Sequence, residues 1–132
     1  MNAIRNVLII ALDGVTPLEV PDAEVLVVAP ALNSRLRHWL SDDDAARRRA
    51  EERAAAWVDW LQQSGLHAQG RVGDFDPLQA IADVLPAFQP DEIMIAAQSE
   101  HSTRLAGELV TRAGSRFALP IHRAGEPLPR AA

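Results

Sequence analysis

Residues 93–97, Ile-Met-Ile-Ala-Ala, form an uninterrupted apolar run that follows Pro90 and gives way to Gln98. A run this short is too brief to span a membrane, and breakers on both sides suit a strand covered on both faces. Helical patterns flank it. Upstream, Asp76 is placed to cap a helix, Pro77 fits the first helical position, and Gln79 stands where it can reach back to close a capping box. Leu78, Ile81, Leu85 and Phe88 then recur at helical spacing. Downstream, Ser102 reads as a cap ahead of Leu105, Leu109 and Ala113. Strand between helices is the signature of βαβ units and a parallel sheet. In open parallel sheets ligands bind beyond the C-terminal ends of the strands. Ala96, Ala97 and Gln98 are therefore candidate site residues by architecture.

The remaining strands follow the same logic. Residues 7–12 are wholly apolar and end at Asp13-Gly14; residues 23–29 make a second strand, stopped by Pro30. Only 13–22 lie between them, with prolines at 17 and 21. A parallel crossover needs about a dozen residues and usually a helix, so this one reads as stunted, and whether the two strands pair in parallel stays open. A missing helix leaves an apolar sheet face to be covered by a partner subunit or by a rearranged neighbour. Residues 31–40 form a connector with Arg35, Arg37, His38 and Trp39. Ser41-Asp42-Asp43-Asp44 then opens the longest helix, which runs to about Ser64 and stops at Gly65. Its buried stripe is Ala46, Ala50, Ala54, Trp57 and Leu61, widened by Val58 and Trp60. The third strand, 66–72, carries His67, Gln69 and Arg71, which suits an edge. Pro86 is expected to end or kink its helix, and Gly114 to end the last one. Residues 117–123 give a fifth strand, with Pro120 favouring an edge. The expected organisation is one domain over 1–124 and a frayed tail over 125–132.

Composition excludes several function classes. The chain has 132 residues, 48% of them hydrophobic, which suits one domain with a real core. A net charge of −5 argues against nucleic-acid binding and against a basic membrane-surface module. Cysteine is absent, so disulfides, thiolate metal sites and cysteine nucleophiles are excluded. With no targeting or membrane-spanning pattern, the expected location is cytoplasmic.

Each candidate site has a plainer reading beside it. Asp13-Gly14 can hold a ribose or an amine, but its plainer reading as a common turn pair is preferred; Gly73-Asp74 can face a ligand, but simple turn chemistry is expected there. Ser99, Glu100 and His101 suggest acid–base chemistry, yet no nucleophile elbow or oriented histidine accompanies them. Histidines 38, 67, 101 and 122 lack metal-ligand spacing. Arg47-Arg48-Arg49 reads as a solvated helix face. Trp57 and Trp60 belong to the core by their stripe position, which leaves Trp39 as the interface candidate.

Asn6–Gly14, Gly73–Ile81, Asp91–Ala96 and Leu119-Pro120-Ile121, taken in order, resemble the opening strand and aspartate, the Gly-Asp-Pro segment, the fourth strand and the proline-led last strand of universal stress proteins. The resemblance spans most of the chain outside the short first crossover. It implies a doubly wound, Rossmann-like α/β fold with a mostly parallel five-stranded sheet of order 3-2-1-4-5, as in the adenine nucleotide alpha hydrolase-like proteins. It also implies frequent homodimers and, in some members, ATP binding. The ATP-binding members place a glycine-rich loop after the fourth strand so that backbone N–H groups can approach phosphate. Here Ala96–Thr103 contains no glycine, and Glu100 adds a negative charge. The phosphate-binding residues therefore do not carry over, and no cofactor is expected.

The leading expectation is a non-enzymatic, universal-stress-like homodimer that acts through protein association in stress or metabolic regulation. The alternative is a module that binds adenosine, AMP or ATP through Asp13, Gly14, Ala29, Pro30, Ala96, Ala97 and Gln98. An adenylating enzyme ranks behind both, because its His-x-Gly-His and serine-rich phosphate signatures are missing.

Overall fold

A computed structural model describes residues 5–20, 22–32 and 43–124. The apolar runs become strands β1 (Arg5–Ala11), β2 (Ala23–Pro30) and β4 (Glu92–Ala96), joined by β3 (His67–Gly73) and β5 (Ile121–Arg123). The described residues add three helices: α1 (Asp43–Gln63), α2 (Pro77–Phe88) and α3 (Glu100–Arg116). The sheet is parallel throughout, in the order β3-β2-β1-β4-β5. This is the doubly wound order anticipated above.

The question left open at the first crossover is answered. β1 and β2 are parallel neighbours, with Val7 opposite Val25 and Ile9 opposite Val27. No helix is present among the described residues of 12–22. The face it would have covered is nonetheless buried within the chain. Because side chains alternate along a strand, each apolar run divides between two layers. Val7, Ile9, Ala11, Val25, Val27, Met94 and Ala96 lie in one core with Ala50, Ala54, Trp57 and Leu61 of α1. Val15, Leu18 and Val20 of the crossover pack against that core as an extended strap. Leu8, Ile10, Leu26, Val28, Ile93 and Ile95 face the other way, onto Leu78, Ile81 and Val84 of α2 and Ala106, Leu109 and Ala113 of α3. Within the chain, that face is covered by α1 and by the crossover itself.

Several local details differ from expectation. Asp76 caps α2 through Leu78 N–H, but Gln79 bonds Asp83 one turn ahead and does not reach back. Pro86 lies inside α2, which ends at Phe88 where Gln89 takes a left-handed conformation (φ 53°). The cap of α3 is Ser99; Ser102 lies within the helix and donates its N–H to Ser99 Oγ. Gly114 does not stop α3, which continues to Arg116, so β5 begins only at Ile121. Gly65, with φ +88°, does follow the end of α1, as a left-handed stop requires. β3 and β5 are the sheet edges, and His67, Gln69 and Arg71 are exposed. Trp39, the arginines and histidine of the connector, the Ser41-Asp42 cap and the 125–132 tail lie outside the described residues.

Candidate functional site

The C-terminal ends of β2, β1 and β4 lie side by side and define the crevice where a doubly wound fold holds its ligand. Leu12 N–H extends the ladder by donating to Ala96 C=O (3.0 Å). Asp13 therefore leaves β1 directly in front of the turn into α3. Its Oδ2 accepts from the backbone N–H groups of Gln98 (2.6 Å) and Ser99 (2.9 Å), and its Oδ1 accepts from the Ser102 hydroxyl (2.9 Å). The start of α3, the position where an anion gains most from free N–H groups and the helix dipole, is thus occupied by a carboxylate of the chain itself.

The electrostatics follow from these contacts. Burial by itself would raise the Asp13 pKa. The Gln98 and Ser99 N–H groups, the Ser102 hydroxyl and the charge of Arg53 together outweigh it, and the carboxyl lies below its ordinary value of 3.8. Arg53 comes from α1. It is half-buried, and its Nε donates to Ala11 C=O (2.9 Å) while its Nη2 donates to Pro30 C=O (2.6 Å). One guanidinium thereby bridges the ends of β1 and β2, on the face where the first crossover supplies no helix. Burial lowers the Arg53 pKa and Arg49 adds to that, with Asp13 opposing both; an arginine remains charged in spite of it. One turn further along α1, Trp57 Nε1–H donates to the Asp13 carbonyl (3.0 Å).

The sequence-predicted site residues converge here, but their polar groups are already committed. Ala29, Pro30 and Ala96 are buried, Ala97 is half-buried, and Gly14 and Gln98 are exposed. The Pro30 carbonyl is taken by Arg53, the Ala96 carbonyl by Leu12 and the Gln98 N–H by Asp13. A Cβ at Gly14 would meet open space, so no close approach requires glycine there. Gly73-Asp74 performs turn chemistry, with Asp74 Oδ1 accepting from Asp76 N–H (2.9 Å). Arg47, Arg48 and Arg49 are solvent-exposed, as is His101. No group of three potential metal ligands occurs among the described residues.

Two features escaped sequence reasoning. Arg53 stands three residues after Ala50 and four before Trp57, inside the apolar stripe of α1; a charge at a stripe position was the available signal. At the opposite end of the sheet, buried Glu92 accepts from Arg5 Nη2 (3.2 Å) and pairs with His122 Nε2 (3.0 Å). A glutamate abutting a fully buried run had to find such partners, but which residues they would be depended on the strand order. No protein-family model matches this sequence, and no curated protein matches it either.

Proposed function

We propose that this chain is a non-catalytic α/β domain, a divergent relative of the universal stress proteins, that works by associating with other proteins and binds no nucleotide at its strand ends. The observation that carries this reading is the self-occupied crevice. Asp13 sits where a ligand's phosphate would approach α3, and Arg53 covers the carbonyl ends of β1 and β2. An incoming phosphate would have to displace a carboxylate held by three donors and would meet its charge in doing so. The ordered motif matches and the 3-2-1-4-5 sheet support the kinship, although unrelated proteins share that sheet order.

Calorimetric titration with adenosine, AMP and magnesium–ATP tests the proposal, with light scattering in the same buffer to give the oligomeric state. The expected result is no heat from any of the three. Micromolar binding of adenosine or AMP would replace this reading with the nucleotide-module alternative, which draws on the convergence of Asp13, Pro30 and Ala96 at one edge. Turnover of ATP would overturn both.

A further inference from the structure

The open edge of the sheet beside β3 carries a groove of about 490 Å³, roofed on one side by α1. Its floor is apolar and small: Ala55 and Val58 from the helix, Gly70 and Val72 from the strand. Two exposed carboxylates, Glu51 and Asp59, rim it on the helix side, Asp59 accepting one bond from Gln63. Among the described residues, no further strand pairs with the outer side of β3. The Gly73 carbonyl accepts from Ala31 N–H, so the odd-numbered residues of β3 direct their backbone groups toward β2. Ala68, Gly70 and Val72 therefore turn theirs to the outer edge. Gln62 Nε2 already donates to the Ala68 carbonyl (3.3 Å), a side chain standing in for a strand at one end of the groove. Ala68, Gly70 and Val72 also face α1, since Ala68 and Val72 pack in its core and a Cβ on Gly70 would meet Val58 Cγ2 at 2.9 Å. Arg71 also lines the groove, but strand alternation turns its side chain to the other face of the sheet, so the charged side chains on the helix side are Glu51 and Asp59.

We infer that this groove accepts an extended segment of a partner protein as a sixth strand, and that the segment has the pattern basic-x-apolar-x-basic. α1 runs antiparallel to β3, because Gln62 meets Ala68, Val58 and Ala54 meet Gly70, and Ala46 and Arg47 share a pocket with Gly73. Glu51 and Asp59 are eight residues apart on α1, or about 12 Å along its axis. Residues i and i+4 of a strand are about 13 Å apart on one face. A strand laid against β3 thus sets two basic side chains on the two carboxylates, with one apolar side chain midway over Ala55 and Val58. Main-chain bonds to Gly70 and Val72 supply adhesion and the alternate side chains supply selection. A second copy of this chain fits poorly. Antiparallel pairing of two β3 strands about Gly70 brings the acidic rims of both α1 helices together. This inference rests on the association reading above and names its surface.

The test uses the full chain and a fluorescein-labelled peptide, Ser-Thr-Lys-Thr-Val-Thr-Lys-Thr-Ser, followed by anisotropy at low salt. Saturable binding is expected. It should weaken at least roughly tenfold for the Glu51→Lys/Asp59→Lys double variant, and again when the peptide valine becomes aspartate. Hydrogen exchange at Gly70 and Val72 should slow on peptide addition. Both substituted residues are exposed, so circular dichroism of the variant should match that of the parent. No saturable binding, or equal binding by the double variant, overturns the inference. So does a dimer whose Gly70 and Val72 amides are protected without peptide, since a second copy would then hold the edge. Nucleotide binding at the strand ends would sink the earlier proposal and leave the groove intact, so the two failures are separable.

Discussion

The two faces of this sheet are covered by different means. On one, α2 and α3 lie over Leu8, Ile10, Ile93 and Ile95 through side chains that are apolar or small, in the regular manner of a βαβ fold. On the other, among the described residues, a single helix and an extended strap do the work expected of two helices. The second face manages this with larger and more polar parts. Trp57 is fully buried there, Trp60 meets it edge-to-face with ring centroids 6.0 Å apart, and Arg53 ties the strand ends. A helix lost from a sheet face leaves two deficits, uncovered apolar area and strand ends with unpaired carbonyls. An aromatic with an N–H and an arginine with a forked donor answer both.

The most direct way to break this comparison is to truncate one large core residue on each face. Trp57→Ala is expected to cost about 3–5 kcal/mol, and Ile81→Ala about 2–5 kcal/mol in the middle of the other layer. Trp57 also holds the Asp13 carbonyl, so its loss should be the larger of the two in urea denaturation. An equal or smaller loss would mean that the strap, not the tryptophan, closes that face. Arg53→Met keeps the aliphatic stem and removes the donors. A cost of about 2 kcal/mol is expected from leaving the Ala11 and Pro30 carbonyls without their charged partner. A neutral result would show that water satisfies those strand ends unaided.

β3 offers a gentler contrast, since its two glycines face opposite layers. A Cβ on Gly73 would stand 2.7 Å from Val28 Cγ1 and 2.8 Å from the Cβ of Ala80, which cannot rotate away. On Gly70 it would meet the tip of Val58 at 2.9 Å, a side chain at the rim of the groove that can turn. Gly73→Ala should therefore cost about 2 kcal/mol and Gly70→Ala less than about 1 kcal/mol. The reverse order in thermal melts would contradict the view that the α1 face is the more yielding one.

The smallest effect concerns Asp13. Asp13→Asn sets an amide N–H₂ against N–H donors and should lower stability by about 1 kcal/mol at pH 7, a modest figure for a partly exposed carboxylate. Its folded pKa is depressed. Its contribution is therefore complete above the ordinary carboxylate range and is lost as pH falls through the depressed folded value. The stability gap between parent and variant should close on acidification. A gap that persists in strong acid would show that shape, not charge, is what the start of α3 needs.

Much of this fold was legible because its elements announce themselves locally. Asp76-Pro77 ahead of an apolar stripe, Gly65 after a long one, and polar residues at 67, 69 and 71 each met their expected structure. The errors were local competitions that sequence alone left balanced. Ser99 and Ser102 are both acceptable caps, and the backbone N–H of the second bonds the hydroxyl of the first. Gln79 had two partners within reach and took Asp83. The candidate site was legible as a place and illegible as a chemistry, since Asp13, Pro30, Ala96 and Gln98 were identified without the groups that occupy them.

The sequence by itself determined which segments are strands and helices, and that Asp13 and Gln98 each follow a buried strand, because hydrophobic period and turn residues act over a few positions. Only the tertiary structure decided what became of the crevice. Asp13 reaches Ser99 across 86 positions, and Arg53 reaches Ala11 across 42. Such contacts exist only once strand order and helix seating bring distant ends within about 3 Å of one another, and a hydrogen bond has no reach beyond that.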